Sequence, residues 1–141
     1  MSARRRTAAT LYFLAGLVAL ALGTALLAGI VLNVQQQAQT RTRAEGITGG
    51  RVTAGKLAIS RYGCTGCHAI PGTDGAHGQV GPALSGVAVQ AQIAGKLPND
   101  PAAMARWLEH PQSINPGSGM PELGVTPGDA RDMAAFLYTL Q

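Results

Sequence analysis

Two cysteines and a histidine stand together at Cys64-Thr65-Gly66-Cys67-His68. The spacing is C-x-x-C-H, the attachment signature of a c-type haem. Two thiols three positions apart match the two vinyl groups on one edge of a haem, and each can add to one of them. A His directly after the second thiol falls beneath the iron as its proximal ligand. Other chemistries use the same cysteine spacing, namely a redox disulfide or half of a zinc site. The chain has only two cysteines, which excludes a four-cysteine zinc site. Thioredoxin-like exchange wants a βαβ setting, and the residues around Cys64 do not supply one. One covalently attached haem c is therefore the expected cofactor.

The elements that must position this motif are bounded by composition. A chain of 141 residues has room for one small domain and a segment outside it. Aromatics make up only 4%, so the domain benefits from another large apolar body in its core, and a haem is one. The formal charge of +4 is local, because Arg4, Arg5 and Arg6 supply most of it. From Gln35 onward eight Lys or Arg face seven Asp or Glu. Two haem propionates bring that part to about −1. Basic residues with interleaved aromatics are absent, and no nucleic-acid partner is expected.

Residues 1–10 form a short head bearing the three arginines. No charged residue follows until Arg41, and the apolar core of the run is 11–34. At 1.5 Å per residue this makes roughly 36 Å of helix, enough to span a bilayer. Tyr12 and Phe13 sit at its first end, where aromatics favour the interface. Arginines on a short head hold that head in the cytoplasm and put the domain outside. A cleaved signal peptide is the competing reading. Its apolar core is shorter, about 7–15 residues, and Asn33-Val34-Gln35-Gln36-Gln37 offers no small-x-small cleavage site. The expectation is a single-pass anchor in a bacterial inner membrane with the domain on the periplasmic side. Covalent haem attachment also belongs on that oxidising side.

Residues 35–50 are polar and contain Gly46, Gly49 and Gly50, which predicts a linker that stays out of the core. The domain, 51–141, reads as all-α. A first helix is expected from about Gly50 to Tyr62, with Val52, Leu57 and Ile59 on a partial apolar face. Lys56 and Arg61 belong to its solvated side. A Gly/Pro loop follows the motif. A second helix is expected over Pro101 to Glu109, with Asp100 as N-cap and Pro111 as its stop. The last runs from about Pro127 to Leu140, capped by Thr126, with Met133, Phe136, Leu137 and Leu140 as its buried stripe. No strand pattern with alternation is present.

Helix, C-x-x-C-H, Gly-Pro loop, helix, Met-Pro loop, terminal helix: this order resembles the class I cytochromes c from about Gly55 to Leu140. Gly81-Pro82-Ala83-Leu84 is similar to the family's proximal loop. Trp107-Leu108-x-x-Pro111 is similar to the helix leading to its distal loop, and Pro116-Gly117-Ser118-Gly119-Met120-Pro121 to its axial-methionine loop. Asp129 to Leu137 is similar to its last helix, with Phe136 where a Tyr is common. The resemblance implies three helices wrapped round one haem behind a transmembrane helix. His68 and Met120 would be the iron ligands, and the Pro82 carbonyl would accept a hydrogen bond from His68. Leu84 and Trp107 would wall the haem, and Gly55 would meet Phe136 where the first and last helices cross. Met104 and Met133, on helices, are expected in the core. His77 is expected in solvent and His110 at a helix end that suits a cation.

A haem with both axial positions filled leaves no easy place for substrate, which favours electron transfer over catalysis by the chain itself. The resemblance extends to small cytochromes c that accompany haem–copper oxidases. It implies a quinol–cytochrome c oxidoreductase as donor and a haem–copper terminal oxidase as acceptor in a respiratory chain. Two rivals stand beside this carrier: a fixed haem subunit of a larger oxidase or reductase complex, and a gas- or peroxide-reactive haem protein.

Overall fold

The computed structural model describes residues 2–75 and 78–141, with side chains described from residue 9 onward outside that gap. His77 and the side chains of Arg4, Arg5 and Arg6 lie outside the described residues. The chain divides after Gln39 into two compact units. One helix, α1 (Ser2–Thr48), supplies the described residues of the first unit and the start of the second.

Over residues 11–34, in the first unit, α1 is apolar on nearly every side. Leu11, Leu20, Leu26 and Leu32 are each about two-thirds exposed, and Tyr12 is 80% exposed. A helix that is apolar all round belongs in a core or in lipid. This one is long and apolar enough to cross a membrane. Its polar side chains look after themselves, as where Thr24 Oγ1 donates to the Ala21 carbonyl at 2.9 Å.

The second unit begins inside the expected linker, at Thr40. The helix continues to Thr48, and its last turns pack. Ala44 and Thr48, four apart and so on one face, are both buried. The Glu45 carboxylate accepts the Val52 N–H at 3.0 Å, a bond that holds its pKa below the ordinary carboxylate value. Gly49, with φ 67°, ends the helix in the left-handed region. Gly50 is there for contact: a Cβ on it would strike the Arg131 carbonyl. Composition suggested flexibility in this stretch, whereas the glycines serve a tight corner.

Helix α2 (Val52–Arg61) starts two residues later than expected. No Ser, Thr or Asp precedes it. Its first donors are met by carboxylates from elsewhere, Glu45 for Val52 and Asp132 for the Arg51 N–H at 2.7 Å. α2 crosses the last helix, and Gly55 permits it. A Cβ there would overlap the Asp132 carbonyl and lie 2.9 Å from the Met133 nitrogen. The closest approach is thus one turn before Phe136, the partner expected for Gly55. Ala58, Ala130 and Ala134, all fully buried, keep the two backbones near each other.

Helix α3 (Pro101–Glu109) has the expected bounds, and Asp100 accepts the Ala103 N–H at 2.8 Å. Pro111 does more than stop it. It opens a one-turn helix, α4 (Pro111–Ile114), where a proline at the first position loses no bond. Helix α5 (Pro127–Leu137) is capped by Thr126 as expected but ends three residues early. Leu140 is only half-buried, and its carbonyl accepts the Ala88 N–H at 3.1 Å. Two short strands, β1 (Gln92–Ile93) and β2 (Leu97–Pro98), pair antiparallel with Ile93 opposite Leu97. A two-residue strand has no room for alternation, so the pattern that normally betrays a strand is missing. Ile59, Met104, Leu108, Met133 and Leu137 anchor the core where α2, α3 and α5 meet.

Candidate haem site

The motif is presented by the end of α2. Gly63 takes φ 71°, which turns the chain off the helix. Cys64–Gly66 then form a 3₁₀ turn, with the N–H groups of Cys67 and His68 both donating to the Cys64 carbonyl at 3.2 and 3.0 Å. The turn sets both sulfurs and the imidazole on the wall of one cavity. Both thiols are free, Cys64 buried and Cys67 half-buried. Burial raises the Cys64 thiol above its ordinary pKa.

The His68 ring is oriented by the returning chain. Gly81 N–H donates to the Cys67 carbonyl at 2.8 Å and Leu84 N–H to the Ala69 carbonyl at 2.9 Å. These bonds bring the Pro82 carbonyl oxygen to 2.7 Å from His68 Nδ1. With its proton committed there, Nδ1 is the donor and Nε2 holds the free lone pair, the state a ligand requires. The backbone comes so close that two glycines are obligatory. A Cβ on Gly81 would lie 2.7 Å from His68 Nδ1, and one on Gly78 would lie 2.6 Å from the His68 backbone nitrogen.

The cavity encloses about 430 Å³, inside the range of pockets that hold cofactors. Ile59, Leu84 and Ile93 give it an apolar wall, and Trp107, Leu108 and Met120 border it from the far segments. Among the described residues, His68 is the one with a basic side chain that lines it, and no Lys, Arg, Asp or Glu does. Of the expected site residues, Cys64, Cys67, His68, Pro82, Leu84, Trp107 and Met120 all border this one cavity. So does Met104, placed by sequence in the core; it is 2% exposed and faces both core and cavity. Met133 lies in the core away from it, and the exposed His110 sits beside Glu109 at 4.0 Å, outside the lining.

These residues fit a haem c. Two unpaired thiols and an imidazole with a free ring nitrogen share one wall of an apolar space, and a thioether borders the same space. Among the described residues there is no group of three or more His, Cys, Asp or Glu that could hold a metal ion instead. Sequence reading had no signal for Gly78, for Asn99 or for Gln112, since what each meets is set by how the loops fold beside it. Asn99 donates to the Val87 and Gln90 carbonyls, both at 2.8 Å, and accepts from Tyr138 OH at 2.8 Å, so it ties the cavity floor to the end of α5.

The family model for Cytochrome c matches residues 52–141. The chain therefore belongs to the cytochrome c family. Its helical domain carries covalently bound haem c, and its chemistry is haem-based electron transfer. Among curated proteins it is similar to cytochrome c oxidase subunit 2 of Alkalihalophilus pseudofirmus, with 32% identity over 88 residues, which is 62% of this chain and 25% of that protein. The chain thus spans about a quarter of the length of that relative. No solved structure matches the chain.

Proposed function

We propose that the protein is a membrane-anchored carrier of single electrons in a respiratory chain, passing them to a terminal oxidase. Cys64 and Cys67 would attach the haem, and His68 and Met120 would hold its iron. The supporting observation is that all four border one cavity, which among the described residues no Lys, Arg, Asp or Glu lines, with His68 fixed by Pro82. The haem c iron supplies a one-electron couple between its ferric and ferrous states. His68, oriented by its hydrogen bond to Pro82, would supply an imidazole nitrogen to the iron, and Met120 would supply a thioether, which favours the ferrous state. Leu84 and Trp107 exclude water from between them. The residues 11–34 hold the domain at the membrane and raise its effective concentration beside membrane partners. On this reading the domain lies on the periplasmic side of a bacterial inner membrane, with a quinol–cytochrome c oxidoreductase as donor.

A second reading, a fixed subunit of an oxidase, is favoured by the likeness to an oxidase subunit. Purification from membranes in mild detergent separates the two. A carrier emerges alone, with haem that resists acid–organic extraction. A fixed subunit brings its complex with it, and extractable haem contradicts both readings.

A further inference from the structure

The segment that carries Met120 has almost no backbone support of its own. Among the described residues, no backbone-to-backbone hydrogen bond is made between Gly119 and Val125. One side chain takes over that work. The amide nitrogen of Gln112, on α4, donates to the Met120 carbonyl at 2.6 Å and to the Ser118 carbonyl at 2.8 Å. It also lies 3.2 Å from Ser118 Oγ. The amide oxygen accepts the Gly117 N–H at 3.0 Å. A primary amide has two donors and one acceptor oxygen, and here every one is spent on residues 117–120. The Gln112 backbone N–H meets Glu122 Oε1 at 3.0 Å, which closes the far side of the loop.

We propose that Gln112 is the positioning residue of the distal ligand: its amide clamps the loop so that the Met120 side chain is delivered into the cavity from a fixed backbone. The inference rests on the reading of Met120 as that ligand. Two local features complete the clamp. Gly117, at φ 80°, makes the turn that brings its N–H to the amide oxygen. Pro121 confines Met120 to extended backbone, so the carbonyl held by Gln112 fixes the direction in which the side chain leaves. A thioether is a neutral, soft ligand, so its hold on iron depends on being placed there beforehand. Releasing the clamp therefore frees the ligand before it unfolds the domain.

The full-length holoprotein, matured in cells and purified in detergent, tests this. Gln112→Leu removes the whole clamp, while Gln112→Glu keeps the shape and the acceptor but loses both amide donors. Met120→Ala supplies the fully open reference. The readouts are the ferric sulfur–iron charge-transfer band and the rate at which carbon monoxide binds the ferrous protein. Both Gln112 variants are expected to weaken the band and to speed carbon monoxide binding about tenfold, the scale of one ordinary hydrogen bond, with far-ultraviolet helicity unchanged. Native band and native rate in both, while Met120→Ala opens the iron, overturn the role of Gln112 alone. A Met120→Ala spectrum identical to native instead overturns the ligand reading beneath it. If Gln112→Leu does not mature, the isosteric Gln112→Glu decides. Failure of both to mature, with Met120→Ala maturing, assigns Gln112 to folding and overturns the positioning role.

Discussion

Gly81 shows how a site can depend on the absence of an atom. Its missing Cβ leaves the space that the His68 ring occupies. Gly81→Ala is expected to push the ring off the Pro82 carbonyl, giving a weaker proximal ligand and a lower yield of holoprotein; absorption spectra and haem content per chain check this. Tyr138 acts at the same scale, through its hydrogen bond to Asn99. Burial first, and the nearby Asp100 charge second, push its phenol from 10.0 up to about 12. Below pH 10 both folded and unfolded chains keep the proton, so stability is unaffected. Between about 10 and 12 the unfolded chain loses it first, so stability falls as pH rises through that window. Thermal melts across it are expected to show this fall, and Tyr138→Phe to flatten it. At neutral pH the same substitution costs about 1 kcal/mol for the bond to Asn99. The motif cysteines and His68 stand out in the sequence by residue type and spacing, and Met120 by the resemblance of its loop, and the structure brings all four to the border of one cavity. Gly78 and Gln112 were not, because a glycine in a Gly-rich loop and a glutamine after a proline look like ordinary loop residues until the backbone they serve is folded beside them.

At the scale of elements, α3 and α5 announced themselves through Asp100-Pro101 and Thr126-Pro127, where cap and first residue are adjacent in the chain. α2 gave no such signal. Its N-terminal donors are satisfied by Glu45 and Asp132, and the second lies 81 positions away. At its other end Tyr62 donates to Asp129 at 2.8 Å, a bond that, with those from Thr126 and Arg61, keeps the Asp129 carboxyl below its ordinary pKa. The Arg51–Asp132 and Arg61–Asp129 pairs, both at 3.4 Å, set exposed guanidinium groups against half-buried carboxylates, a geometry in which solvent screens most of the attraction. The crossing of α2 on α5 depends on close backbone approach. In an exposed helix Gly→Ala gains about 1 kcal/mol. Gly55→Ala reverses that sign, because the new methyl would meet backbone atoms that cannot rotate away. A net loss of about 1–3 kcal/mol is expected, read as a lower denaturant midpoint. A variant as stable as the native protein would mean that the helices can separate without loss.

For the molecule as a whole, charge and hydropathy mark out an apolar segment, 11–34, and a haem domain, 51–141, and in the structure the residues from Thr40 onward belong to the second compact unit. The polar stretch between them read as flexible because its composition is that of a linker. Two of its residues, Ala44 and Thr48, bury a face that only the folded domain completes. Among the described residues, the domain lines a cavity with no Lys, Arg, Asp or Glu around the residues that chemistry had singled out. The central claim, that this cavity holds a low-spin haem c ligated by His68 and Met120 for electron transfer, is tested most directly by redox titration of the full-length protein against Met120→Ala, each followed by its visible spectrum. The expected result is a low-spin native protein with the sulfur–iron band, and a variant that loses the band, binds carbon monoxide when reduced and has a lower reduction potential. A variant with the native spectrum and the native potential would contradict the claim.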